Sequence, residues 1–219
     1  MSLSVLWSLY GQNYIDALLA TWGMTLESFA IAMVLAVAVT VMRVSPLKPL
    51  RVFGDLYVQV FRNIPGIALL IIIVYALPPL KVVLPYRTCV IVATVLLGSA
   101  FGSENFMSGI NTVGVGQVEA ARSLGMSFSR ILAKIVIPQA LRSSVLPMTN
   151  LFIAVMLTTA LGSQVPLKPQ ELTGVVSYIN TRSLGGVAAF FISALGYLGT
   201  AFVVSHIGNY IDKKVRILR

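Results

Sequence analysis

Five stretches of this chain, each close to the length of a membrane span, carry almost no charge: about Trp22 to Met42, Leu56 to Leu77, Tyr86 to Phe101, Val145 to Leu161 and Val187 to Ile207. About 20 apolar residues cross the roughly 30 Å hydrocarbon layer of a bilayer as a helix. The expected fold is therefore all-α, a polytopic membrane protein with five transmembrane helices. The third and fourth stretches are short, so their helices are expected to run on into the flanking polar residues.

Charge then orients the bundle. The chain has 16 Lys and Arg against 7 Asp and Glu, a formal net charge of +9. In a soluble domain this excess would point to nucleic acid, but only 11% of the residues are charged, under half of the roughly 25% usual in soluble proteins. On a multispanning chain a basic excess marks cytoplasmic loops, so no nucleic-acid partner is expected, and membrane lipid is. Arg43, Lys48 and Arg51 fall in the first loop, and only Lys81 and Arg87 in the second. The third loop has Arg122, Arg130, Lys134 and Arg142, the fourth Lys168 and Arg182, and the tail Lys213, Lys214, Arg216 and Arg219. The alternation places the N-terminus outside and the C-terminus in the cytoplasm. The opening MSLSVLWSLYGQNY has no basic flank, so no cleavable signal peptide is expected. The lone Cys89 excludes an intrachain disulfide.

The largest cytoplasmic loop, GQVEAARSLGMSFSRILAKIVIPQA from Gly116 to Ala140, is polar and punctuated by glycine. Val118, Ala121 and Gly125 share a helical face with Ala120, Leu124 and Phe128 beside it, while Glu119, Arg122 and Ser123 point elsewhere. Gly125 suits a left-handed helix terminus, and Ser127 suits the N-cap of a second helix striped by Phe128, Ile131, Leu132 and Ile135. Pro138 is expected to stop or kink that helix. The result is a helix-turn-helix knob, which periodicity alone reads as an interfacial hairpin holding two spans together.

The spacing says more. Glu119-Ala120-Ala121, three residues, Gly125, nine residues and Ile135-Val136-Ile137-Pro138 resemble the EAA loop of importer permeases of the ATP-binding-cassette class, with Ile137 where that pattern has leucine. RNIP at Arg62 to Pro65, GINTVGVGQVEAARSLG at Gly109 to Gly125, PQALRSSVLP from Pro138, ELTG from Glu171 and RVSPLKPLR from Arg43 are similar to the subfamily importing polar amino acids, and most of all to actinobacterial glutamate permeases. The resemblance implies one permease domain over residues 1–219 in a bacterial cell membrane, with a coupling loop at about 111–140. Glu119, Ala120, Ala121, Leu124 and Gly125 would dock into cytoplasmic ATPase subunits, which bind ATP and Mg; this chain would bind no cofactor and catalyse nothing itself. A second permease and an extracellular solute-binding protein are the other implied partners. The sequence departs from the family pattern at Met107, where that pattern has arginine, and at Leu157-Thr158-Thr159-Ala160, where it has Lys-Asp-Thr-Ser. These losses of charge suggest that the second permease is a different chain carrying most of the substrate contacts.

Within the spans, Arg62 lies six residues into the second stretch, about 9 Å along the axis. A charge at that depth faces a cavity or a partner; the alternatives are snorkelling to the headgroups or pairing with Asp55. Pro65-Gly66 should break or bend the helix, which is tolerated beside a cavity. Glu104 is either a gate or the partner of a cytoplasmic arginine. Thr158, Thr159 and Ser163 are candidate ligands for a substrate in transit, with bonding to their own backbone as the alternative. Glu27 reads as interfacial and His206 as a helix-interface residue. No nucleotide-binding, metal-binding or nucleophile motif occurs. A secondary transporter is the rival function, but two equal repeats cannot be cut from five spans.

Overall fold

The structure is a computed structural model that describes residues 3–182 and 186–215. Ten α-helices account for most of these residues, and no strand occurs among them. α1 (Leu3–Val44), α4 (Tyr86–Asn111), α8 (Val145–Thr158, extended by a 3-10 turn through Gln164) and α10 (Gly186–Val215) are each long and apolar enough to cross a membrane. A bent pair, α2 (Lys48–Asn63) and α3 (Gly66–Ile71), the latter continuing as a π turn over Ile72–Ala76, is long and apolar enough when its halves are taken together, which gives four candidate spans, or five with the pair counted as one. The short helices α5 (Val115–Ser123), α6 (Phe128–Ile131) and α7 (Ile137–Ser143) form the large loop, and α9 (Leu172–Arg182) precedes the last span. Arg216 and Arg219 of the basic tail lie outside the described residues.

Two expected spans change shape. The first is no isolated window from Trp22: α1 has 42 residues, about 63 Å at 1.5 Å per residue and so twice the hydrocarbon thickness. Its N-terminal half buries Leu6, Tyr14 and Ala17 against Leu172, Val175 and Ile179 of α9, and the Tyr14 hydroxyl donates to the Ala189 carbonyl of α10 at 2.9 Å. The second span is not straight either, since the helix turns by 101° between Asn63 and Gly66. Pro65 has no N–H to continue the ladder, and its ring forces Ile64 into extended backbone at φ −83°, ψ 130°. The third and fourth stretches do run on into polar residues, to Asn111 and Gln164.

The core of the bundle is a packing of α1, α3 and α4. Met24, Leu69, Leu70, Ile73, Val90 and Ala93 are all buried in one cluster. Cys89 is free and buried in the same cluster. LTGVVSYINTR falls between spans and carries no long apolar run, yet it forms helix α9. Tertiary contacts hold it: the Leu172 N–H donates to Thr21 Oγ1 of α1 at 3.1 Å, and the Glu171 carboxylate, fully buried, receives the Thr173 and Gly174 N–H groups at 2.6 Å each and the Tyr197 hydroxyl at 2.9 Å. Glu171 thus acts as the N-terminal cap of α9 and ties it to α10.

Candidate functional site

Arg43, in the last turn of α1, organises one site. Its Nε donates to Asp55 Oδ1 at 2.9 Å, its Nη2 to Glu104 Oε1 at 2.8 Å and its Nη1 to Ser103 Oγ at 3.2 Å, so one guanidinium fork joins α1, α2 and α4. Only 11% of the side chain is exposed. α2 comes this close because residue 54 is glycine: a Cβ there would meet Arg43 Cγ at 2.8 Å and Met42 Cβ at 3.2 Å. A hydrogen bond of 2.7 Å between the Tyr57 and Ser99 hydroxyls fastens α2 to α4 further along.

Arg62 stands beside this cluster at the end of α2, just before the bend. Its Nη1 lies 3.5 Å from Glu104 Oε1, and its guanidinium sits 5.4 Å from the centre of the Phe101 ring, within cation–π range. Arg43, Arg62, Asp55 and Glu104 sum to zero charge. Asp55 therefore belongs to Arg43 rather than to Arg62, and Glu104 is paired with the basic end of α1. Beyond Arg62 opens a cavity of about 600 Å³, walled by Gly66 and Phe101 on one side and by Leu157, Thr158 and Gln164 on the other. Arg62 is the one ionisable side chain among its lining residues.

The other polar residues expected in the pathway divide. Thr158 lines the cavity, though its hydroxyl donates to the Ala154 carbonyl at 2.7 Å. Thr159 is buried away from it and donates to the Met156 carbonyl at 2.6 Å, and Ser163 donates to the Ala160 carbonyl at 2.8 Å. Neither lines the cavity, because the 3-10 turn over Thr159–Gln164 rotates successive side chains off the α-helical face. Gln164 takes their place, exposed at the end of that turn; lying past the apolar run, it had no signal in the sequence. Glu27 and Arg87 pair at 2.8 Å on an exposed surface, and His206 stacks on Phe202.

The helix-turn-helix loop forms with its own small core. Two residues past α5, Gly125 takes φ +76°, the left-handed conformation that an L side chain rarely adopts. The Met126 N–H returns to the Ala121 carbonyl at 3.1 Å and the Gly125 N–H to the Arg122 carbonyl at 2.9 Å, which is a Schellman closure. Ser127 occupies the N-cap of α6 in extended backbone, without its hydroxyl oxygen accepting a capping N–H. Pro138 does not stop the second helix. A π turn over Leu132–Val136 precedes it, and the widened turn makes room for the ring, so the helix continues as α7 to Ser143. The expected contact face also splits. Ala121 is 3% exposed, packed on Val113, Ile131 and Val136 inside the loop, so it holds the two helices together and presents nothing outward. Glu119, Ala120 and Gly125 are exposed, and Leu124 is 82% exposed at the tip.

The fold and the projecting loop place the chain in a defined class: residues 28–217 match the family of binding-protein-dependent transport system inner membrane components, and the chain belongs to it. It is a multi-pass inner-membrane protein. Among its relatives, the glutamate transport system permease protein GluC of Corynebacterium efficiens is 33% identical over 208 residues, covering 90% of this chain and 91% of that one. The probable glutamine ABC transporter permease protein GlnM of Bacillus subtilis is 31% identical, covering 98% of both chains, and the L-cystine transport system permease protein TcyB of the same organism is 30% identical, covering 98% and 93%. A solved structure described as an amino acid ABC transporter with histidines superimposes with a TM-score of 0.91 at 24% identity, covering 98% of this chain and 99% of that one.

Proposed function

We propose that this chain is the permease subunit of an ATP-binding-cassette importer for a polar amino acid, glutamate or aspartate. The cavity whose single lining charge is Arg62 carries the reading. An amino acid leaving water must have its charges met by fixed polar groups, and a guanidinium held 3.5 Å from its nearest carboxylate oxygen, while Arg43 holds that oxygen at 2.8 Å, keeps capacity for a substrate carboxylate. Relatives named for glutamate, glutamine and cystine at similar identity support the amino-acid class. The basic loops orient the N-terminus outside and the C-terminus in the cytoplasm. The exposed tip at Glu119, Ala120, Leu124 and Gly125 docks into ATPase subunits that hold ATP and Mg, and an extracellular solute-binding protein delivers the substrate.

The partner across the pathway is a second, different permease. Leu157, Thr158 and Ala160 line the cavity without a charge, so the groups that meet the substrate ammonium come from that chain. The whole is tested by reconstituting this chain with its ATPase and binding protein, with and without the second permease. Glutamate uptake and glutamate-stimulated ATP hydrolysis are expected only in the complete set, and Arg62→Met should abolish the uptake while leaving the complex assembled. Full uptake without the second permease would refute the heteromeric pair, and unchanged uptake kinetics in Arg62→Met would refute the cavity as the route.

A further inference from the structure

A second volume, of about 580 Å³, lies between α8, α9 and α10. Four of its ten lining residues carry hydroxyls: Thr173, Ser177, Ser193 and Tyr197. Hydroxyls in membrane helices ordinarily donate to their own backbone one turn back. Along the other two grooves that flank α10 they all do: Thr25 donates to Thr21, Ser144 to Ala140, Thr149 to Val145 and Thr200 to Gly196. Ser193 does not. It is 3% exposed, and its hydroxyl has no hydrogen-bond partner among the described residues. Leaving a buried hydroxyl unpaired is costly, so its position on this wall points to a ligand or water that completes it. One turn further along α10 the Tyr197 hydroxyl, which donates to Glu171 and lies 3.2 Å from Thr173 Oγ1, adds a second polar group to the same wall.

This groove adjoins the Arg62 cavity. Leu157, half exposed on α8, lines both volumes, so the two share that side chain. We propose that the hydroxyl-lined groove is a second station for the same zwitterionic amino acid, and that Leu157 is the partition whose bulk controls passage between the two. The inference rests on the Arg62 cavity being part of the route. The two walls suit consecutive stops: one offers a cation, and the other offers hydroxyls that donate or accept, with no ion among its lining residues.

The test uses the complete transporter in proteoliposomes, with Cys89→Ser in this chain and either Ser177→Cys or Thr158→Cys added. Modification by a membrane-impermeant methanethiosulfonate is read on this chain's peptides by mass spectrometry, with and without the transported amino acid. Both cysteines should react, and substrate at ten times its Kd should slow each about tenfold. Leu157→Trp should remove the protection at one cysteine and keep it at the other. If Thr158→Cys is protected while Ser177→Cys is unreactive, reacts only with lipid-soluble N-ethylmaleimide, or reacts without protection, the groove faces lipid or a partner helix and the second station is wrong, with the Arg62 route intact. Protection of both cysteines in Leu157→Trp would overturn the partition. Loss of protection at Thr158→Cys in the Leu157 chain would overturn the route itself, and the second station with it.

Discussion

Replacing Glu171 with alanine separates a structural cap from a bystander. The change removes the acceptor for three donors, the Thr173 and Gly174 N–H groups and the Tyr197 hydroxyl. Hydrogen bonds to a charged group contribute about 1.5–3 kcal/mol each, a gross loss of roughly 4.5–9 kcal/mol. Against this, the mutant no longer pays to bury a carboxylate, an effective penalty of several kcal/mol. The net is a destabilisation of about 2–3 kcal/mol, at or above the upper end measured for N-caps. Glu171→Gln keeps the shape and one good acceptor and should lose about half as much. Burial holds the Glu171 carboxyl above its ordinary range, partly offset by its three donors. A carboxyl whose folded pKa is raised contributes stability that is present below its unfolded value and is lost as pH rises through the folded one. Acidification from neutrality should therefore stabilise the wild type relative to Glu171→Gln. Thermal unfolding of the purified chain in detergent, followed by a thiol-reactive dye reporting Cys89, measures all three effects. An alanine variant as stable as wild type would refute the cap, and a glutamine variant that gains as much on acidification as the wild type would refute the raised carboxyl.

In the loop, Ala121→Arg should break the packing on Val113, Ile131 and Val136 and expose the loop to limited proteolysis, whereas Leu124→Asp, at an exposed tip, should leave the protease pattern unchanged and still release the ATPase on co-purification. Equal proteolysis of the two variants would show that the loop has no core of its own. At the charge cluster, Arg43→Met removes the partner of Asp55, leaves Glu104 with Arg62 alone and should lower stability by about 2 kcal/mol, while Gly54→Val should push α2 off the end of α1 and give a comparable loss with every charge retained. Thermal unfolding of both variants checks this; a neutral Gly54→Val would mean that α2 does not need its close approach.

Much of the architecture was legible in the residues because apolar length and the positions of Lys and Arg act locally: a span needs only enough consecutive apolar side chains, and a left-handed terminus needs only a glycine such as Gly125. The Pro65 bend was legible for the same reason, since a missing N–H breaks a helix wherever it falls. What the chain could not declare in one dimension was which groups meet. Asp55 is seven residues from Arg62 yet pairs with Arg43, because Gly54 lets α2 lie on α1. Ala121 sits on an apolar stripe that looks outward until α6 closes over it. Thr159 and Gln164 exchange places at the cavity because a 3-10 turn replaces the α-helical one. Ser193 and Leu157 acquire meaning only from the volumes beside them. Sequence determined which segments are apolar enough to cross a membrane; tertiary packing decided how far their helices run and which polar side chains share a space, because that depends on distances between segments that no local pattern encodes.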